Sequence, residues 1–105
     1  MGMVGNVFTR VMLFEDAGDT EHCHTHDYDH ATLVAHGAVK VTANGKETVF
    51  KAPHLIWIRK DVRHELVALE PKTVCACIHA LRDEHGDIVD PASIPNGVEY
   101  TLAAP

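Results

Sequence analysis

Gly18-Asp19-Thr20-Glu21-His22-Cys23-His24-Thr25-His26-Asp27-Tyr28-Asp29-His30-Ala31-Thr32-Leu33-Val34-Ala35-His36-Gly37 is the stretch on which the reading of this chain turns. Five of the nine histidines fall inside it, and His22, His24, His26 and His30 stand at even spacing. In an extended strand, residues two apart point to one face, about 6.7 Å from one to the next. Imidazoles so placed can converge on a single ion above the strand, and neutral imidazole is the commonest protein metal ligand. The run is neither terminal nor contiguous, which sets it apart from an expression tag. Ala31–Ala35 follows directly as a short apolar run that reads as a buried strand. Several imidazoles beside a core strand are costly unless paired or ligated. A metal site is the first expectation, and a purely structural histidine cluster is its plain alternative.

Working outward, the flanks read as strands and turns. Val7–Glu15 is rich in β-formers, and Ala17-Gly18-Asp19 turns the chain into the histidine stretch. Ala38–Thr42 alternates, Asn44-Gly45 is a strong hairpin signal, and Lys46–Phe50 returns as the partner strand. Pro53 breaks that strand; Leu55–Ile58 then reads as a buried strand, with Trp57 expected in the core. A charged turn over Arg59–Arg63 leads to His64 and a strand at Glu65–Leu69, and Thr73–Leu81 is the last long strand. Beyond it a loop-rich tail has room for one short strand at Val98–Leu102. No segment of helical length carries the 3.6-residue apolar period. Short strands at regular spacing indicate an all-β sandwich or small barrel.

The chain of 105 residues fits one domain, 1–105, with a core over about 7–82 and a tail over 83–105. With 46% hydrophobic residues it can bury a core, and 15 acidic against 9 basic side chains leave a net charge of −6. That balance argues against nucleic acid and against an anionic membrane as partner, since both need a basic footprint. No apolar run approaches the ~20 residues of a membrane-spanning helix. The start lacks a basic-then-apolar signal, so a cytoplasmic protein is the expectation. Cys23, Cys75 and Cys77 cannot make a complete disulfide set, and reduced thiols fit that compartment. There is no nucleophile elbow, phosphate loop or Cys-x-x-Cys pair.

The histidine stretch resembles the first motif of the cupin superfamily: a Gly, five residues, His-x-His, three or four residues, Glu, six residues and Gly. Gly18, His24, His26, His30 and Gly37 fall on that spacing, with His30 in place of the Glu. Residues 38–52 match the short spacer between the two cupin motifs. In the second motif His64 matches, whereas Pro53, Arg59, Asp61 and Ala68 stand where Gly, Pro, Gly and Asn are usual.

This resemblance implies a small jelly-roll (double-stranded β-helix) barrel with one divalent transition-metal ion per chain inside its mouth. Carried over position by position, the ligands are His24, His26, His30 and His64; His22 lies in the spacer and is an alternative ligand. Four imidazoles in place of three and a carboxylate leave the ion its full charge, favouring anionic or enolisable oxygen ligands. Nitrogen-rich sites suit Fe, Ni, Cu and Zn alike. By parity Thr32, Val34 and His36 share the face of His30, and Leu66 that of His64. Tyr28, His36, Cys77 and His79 are the candidate pocket residues, with Asp29 beside them in the ligand loop. Thr73, Cys75, Cys77 and His79 share one face of the last strand, and Val74, Ala76, Ile78 and Ala80 the other. His54 and His85 read as surface residues. The expected function is a metal-dependent, dioxygenase-like enzyme acting on a small organic molecule, or else a non-catalytic metal- or ligand-binding module. A homodimer is the assembly that the resemblance implies.

Overall fold

The computed structural model describes residues 2–24, 29–83 and 85–90, and for 2–4 and 22–24 the backbone course alone. Nine strands make up these residues: β1 (Gly2–Val4), β2 (Val7–Phe14), β3 (Thr20–His24), β4 (His30–His36), β5 (Ala38–Ala43), β6 (Lys46–Lys51), β7 (His54–Ile58), β8 (His64–Ala68) and β9 (Thr73–Ala80). They form two antiparallel sheets, one ordered β1-β2-β9-β4-β7 and one ordered β3-β8-β5-β6. Neither sheet is consecutive in sequence, because the chain crosses between the two as it goes. This is the all-β, jelly-roll architecture expected of the sequence. No helix is long and apolar enough to cross a membrane among the described residues.

Local chemistry accounts for the turns. Asn44 and Gly45 take φ of 50° and 74° between β5 and β6, the left-handed pair that a two-residue hairpin needs. The short β1 was not legible in the sequence. It exists because Gly5, at φ 57°, folds it back onto the start of β2.

Strand alternation builds the core. On β4 the inward side chains are His30, Thr32 and Val34, on β8 His64, Leu66 and Ala68, and on β5 Val39 and Val41. Met12 and Phe14 of β2, Ile56 and Ile58 of β7 and Cys75 of β9 close the interior. Each fully buried large aliphatic side chain contributes about 1.5–3 kcal/mol relative to exposure. On β9 the inward row is Thr73, Cys75 and Cys77, and Val74, Ala76 and Ile78 look outward.

The strand at 55–58 departs from the sequence reading. Ile56 and Ile58 are buried, but Leu55 is 62% exposed and Trp57 66% exposed, so Trp57 is not a core residue. A run of four apolar residues carries no parity signal, and half of it must face away from the core. The two faces turned to solvent differ sharply. The four-stranded sheet carries Lys40, Glu47, Lys51 and Glu65 outward, with Lys40 and Glu47 paired at 3.7 Å. Across the five-stranded sheet, register sets Val11, Ala76, Leu33 and Leu55 in one row, and Thr9, Ile78, Ala31 and Trp57 in the next.

Candidate functional site

Register fixes which side chains meet at the barrel mouth. His30 ends the inward row of β4 and pairs with Ile58 of β7. Ala31 pairs with Ile78, so His30 and His79 are the next residues along their strands. Phe8 pairs with His79 on the other side, their ring centroids 5.0 Å apart. In the opposite sheet the backbone of His24 stands directly across the ladder from His64, after a register shift between Glu21 and His24.

Between the sheets, His30 and His64 come together. Their ring centroids are 5.1 Å apart with the planes tilted by 44°, and the residues are only 3% and 1% exposed. The Nδ1–H of His64 donates to the Val62 carbonyl at 2.8 Å. A neutral ring held this way carries its lone pair on Nε2, the arrangement used by metal-ligating histidines. Two imidazoles whose nitrogens both lie about 2 Å from one ion bring their rings to roughly 5 Å, a spacing this pair matches. Among the described residues no group of three or more His, Cys, Asp or Glu side chains is placed to hold an ion. His26 lies outside the described residues and His24 is described in its backbone alone.

One layer deeper lies a polar set in which Thr32 and Cys77 were expected from strand parity, whereas Arg10 and Glu21 were not. Arg10 pairs with Cys77, and Cys77 pairs with Thr32. The Thr32 hydroxyl and the Cys77 thiol are 3.5 Å apart. From the other sheet Glu21, opposite Leu66, accepts a hydrogen bond from Arg10 Nη1 at 3.1 Å. The parity of Arg10 with Met12 and Phe14 is the signal that points to it: a charged residue in a core-facing row needs a partner. Burial raises the Cys77 thiol above its ordinary pKa, against the lowering effects of Thr32 and Arg10. Burial likewise pushes the Cys75 thiol up to about 11. A cavity of about 480 Å³ opens beside this layer, between β2 and β3, with Arg10, Met12, Phe14, Thr20 and Glu21 in its wall. It adjoins the ion pair rather than the two imidazoles.

The remaining candidates separate cleanly. Cys77 and His79 lie on the wall described above; the Nδ1–H of His79 donates to the Ala80 carbonyl at 3.0 Å. His36 is at the far end of β4 from His30, exposed, with its Nδ1–H donating to the Lys72 carbonyl at 2.9 Å. A register shift between Val34 and His36 takes it off the inward row, so it is not a pocket residue. Asp29 accepts a hydrogen bond from the Lys60 backbone N–H at 2.7 Å, tying the start of β4 to the turn before β8. His54 and His85 are exposed, as expected. His22 is described in its backbone alone, and Tyr28 and the strand expected at Val98–Leu102 lie outside the described residues.

Comparison with known proteins agrees with this architecture. The family model of the AraC-like ligand binding domain matches residues 12–83. Among solved structures, KdgF from Halomonas sp. superposes with a TM-score of 0.68 at 22% identity, over 78% of this chain and 74% of that one. An RmlC-like cupin with a double-stranded β-helix fold from Methanocaldococcus jannaschii gives 0.66 at 10% identity, over 73% and 72%. A cupin-like protein from Thermotoga maritima gives 0.66 at 22% identity, over 83% and 67%. No curated protein matches the chain. At these identities the structural likeness speaks for the fold alone.

Proposed function

The chain belongs to the AraC-like ligand-binding domain family of the cupin superfamily, and on that footing we propose that it binds one divalent transition-metal ion and presents it to a small organic molecule. The ligands are His24, His26, His30 and His64. The observation that carries this reading is the buried His30–His64 pair, drawn from two different sheets with rings 5.1 Å apart. The backbone of His24 lies directly opposite His64, which supports counting His24 as a third ligand.

When bound, the ion supplies Lewis acidity undiminished by any ligand charge, since four neutral imidazoles cancel none of it. The protein's own groups do the rest. Val62 orients His64 through its carbonyl. Phe8 and His79 form an aromatic wall at the same level. The Arg10–Glu21 pair holds the two sheets together one layer below. A ligand with an anionic or enolisable oxygen suits such a centre, and dioxygenase-like oxidation is the enzymatic reading.

A non-catalytic metal- or ligand-binding module is the second reading, and one observation favours it. Glu21 is engaged by Arg10, and the Cys77 thiol lies against the Thr32 hydroxyl with burial raising it above its ordinary range. Neither group is then free to act as an acid or base in this layer.

The test is a titration of metal-stripped protein with cobalt(II), followed by visible absorption. One equivalent should bind, and His30→Ala and His64→Ala should each weaken binding by more than about tenfold while far-UV circular dichroism stays β-type. Failure of the wild type to bind cobalt, or full affinity in both variants, overturns the reading. Oxygen uptake by iron(II)-loaded protein with a panel of small keto and hydroxy acids then separates the enzyme from the module.

A further inference from the structure

We infer that the cleft between the free edges of β6 and β7 is a binding site for a small carboxylic acid with an apolar body, whose carboxylate is held by Lys46 and Arg59. β6 is the last strand of one sheet and β7 the last of the other, so among the described residues no paired strand closes this side of the sandwich. A cavity of about 300 Å³ opens there, at the small end of the range for ligand pockets. Its floor is apolar, with Val41, Phe50, Ile56 and Ile58 in the wall.

The polarity of β6 is inverted for a strand that covers a core. Register sets Lys46, Thr48 and Phe50 on the row of the buried Val39 and Val41. Val49, 62% exposed, faces out while a lysine and a threonine face in. Lys46 and Arg59 are the only charged side chains among the described residues of the wall, and both are exposed. Neither takes part in the ion pairs found among the described residues. In a chain of net charge −6, two cations in a wall that holds no acid reverse the local sign. A guanidinium offers paired N–H groups to a carboxylate, and an ammonium adds a point charge. The apolar floor asks for hydrocarbon. An apolar monocarboxylate satisfies both ends of the cleft, whereas an inorganic anion leaves the floor wet.

This names the ligand class for the function proposed above, and rests on that reading for what the bound acid meets. Ile58 pairs with His30, and Ala43 pairs with Lys46 on one side and His64 on the other. Lys46 and Arg59, which follows Ile58, therefore stand at the end of the barrel that holds the two imidazoles. Ile56 pairs with Thr32 and Phe50 with Val39, farther in. The acid's carboxyl end is thus set toward the histidines and its apolar body away from them.

The experiment is titration of the metal-stripped full chain with 3-phenylpropanoate, followed by calorimetry and by tryptophan emission. Trp57 is the chain's single tryptophan and stands in the wall of the cleft, so its emission should change as the cleft fills. The acid should saturate one site and bind at least about tenfold more tightly than acetate, which lacks the body, or 3-phenylpropan-1-ol, which lacks the charge. Lys46→Met and Arg59→Met should each weaken the acid about three- to tenfold and leave the alcohol as it was. Lys51→Met, outward on the same strand, should change neither. No saturable binding, equal affinity for acid and alcohol, or a loss on Lys51→Met as large as on Lys46→Met overturns the inference. No metal is present in this titration, so the two readings fail separately. Acid binding by a chain that takes up no cobalt sinks the metal reading alone, and cobalt uptake without acid binding sinks this one.

Discussion

Gly37 and Thr73 lie so close that a Cβ added at Gly37 would stand 2.2 Å from the Thr73 hydroxyl oxygen and 3.0 Å from its Cα. Gly37 also takes φ +80°, in the left-handed region. Thr73 cannot swing aside freely: it is fully buried, and its hydroxyl donates to the Glu70 carbonyl at 2.8 Å. Gly37→Ala should therefore cost roughly 2–4 kcal/mol, combining the left-handed penalty with overpacking. For a domain this size the thermal midpoint falls by roughly 10–20 °C. Gly45→Ala, at φ +74° with open space around it, should cost only about 1–2 kcal/mol. Equal losses in the two variants would show that the contact with Thr73 does not matter.

The Arg10–Glu21 pair joins the sheets at 3.1 Å, with side chains 33% and 25% exposed. Partial exposure screens it, so Arg10→Met or Glu21→Gln should each cost about 1–2 kcal/mol. The double variant Arg10→Met/Glu21→Gln should cost clearly less than the two single changes together, because no lone charge is left half-buried. Urea unfolding of the four proteins measures this. Additive losses would mean the two side chains act independently.

Buried thiols give a stability effect on the alkaline side. Cys75 in the folded chain holds its proton up to about 11, against an ordinary value of 9.0, chiefly because burial disfavours the thiolate. Between those values the unfolded chain has lost the proton and the folded chain has kept it. The contribution is fully present below about pH 9 and is lost as pH rises toward 11, amounting to roughly 3 kcal/mol. Cys75→Ala should flatten that part of the curve of unfolding free energy against pH. A wild-type curve level from pH 8.5 to 11 would contradict the burial of this thiol.

The fold was legible because the strands announce themselves: Asn44-Gly45 marks the hairpin, and β4 and β9 alternate as strands with one buried face do. The inward position of His30 followed from its parity with Thr32 and Val34. His64 could be singled out only through resemblance, since nothing in the charged turn before it shows that β8 crosses to face β4. Trp57 was misplaced because Leu55–Ile58 is apolar at every position, so its parity became visible only once Ile56 was seen to pair with Thr32. The Arg10–Glu21 pair escaped because its members sit on strands of different sheets, and contacts across a barrel leave no periodic trace. His36 kept the parity of His30 in sequence; a register shift, invisible there, removed it.

The measurement that bears most directly on the metal reading is elemental analysis of protein purified without added metal or affinity tag, joined to anomalous diffraction from its crystals. Close to one equivalent of iron, nickel, copper or zinc per chain is expected, with the anomalous peak between His30 and His64. Protein without a transition metal, or a peak away from these two rings, would contradict it and return the pair to a structural histidine cluster.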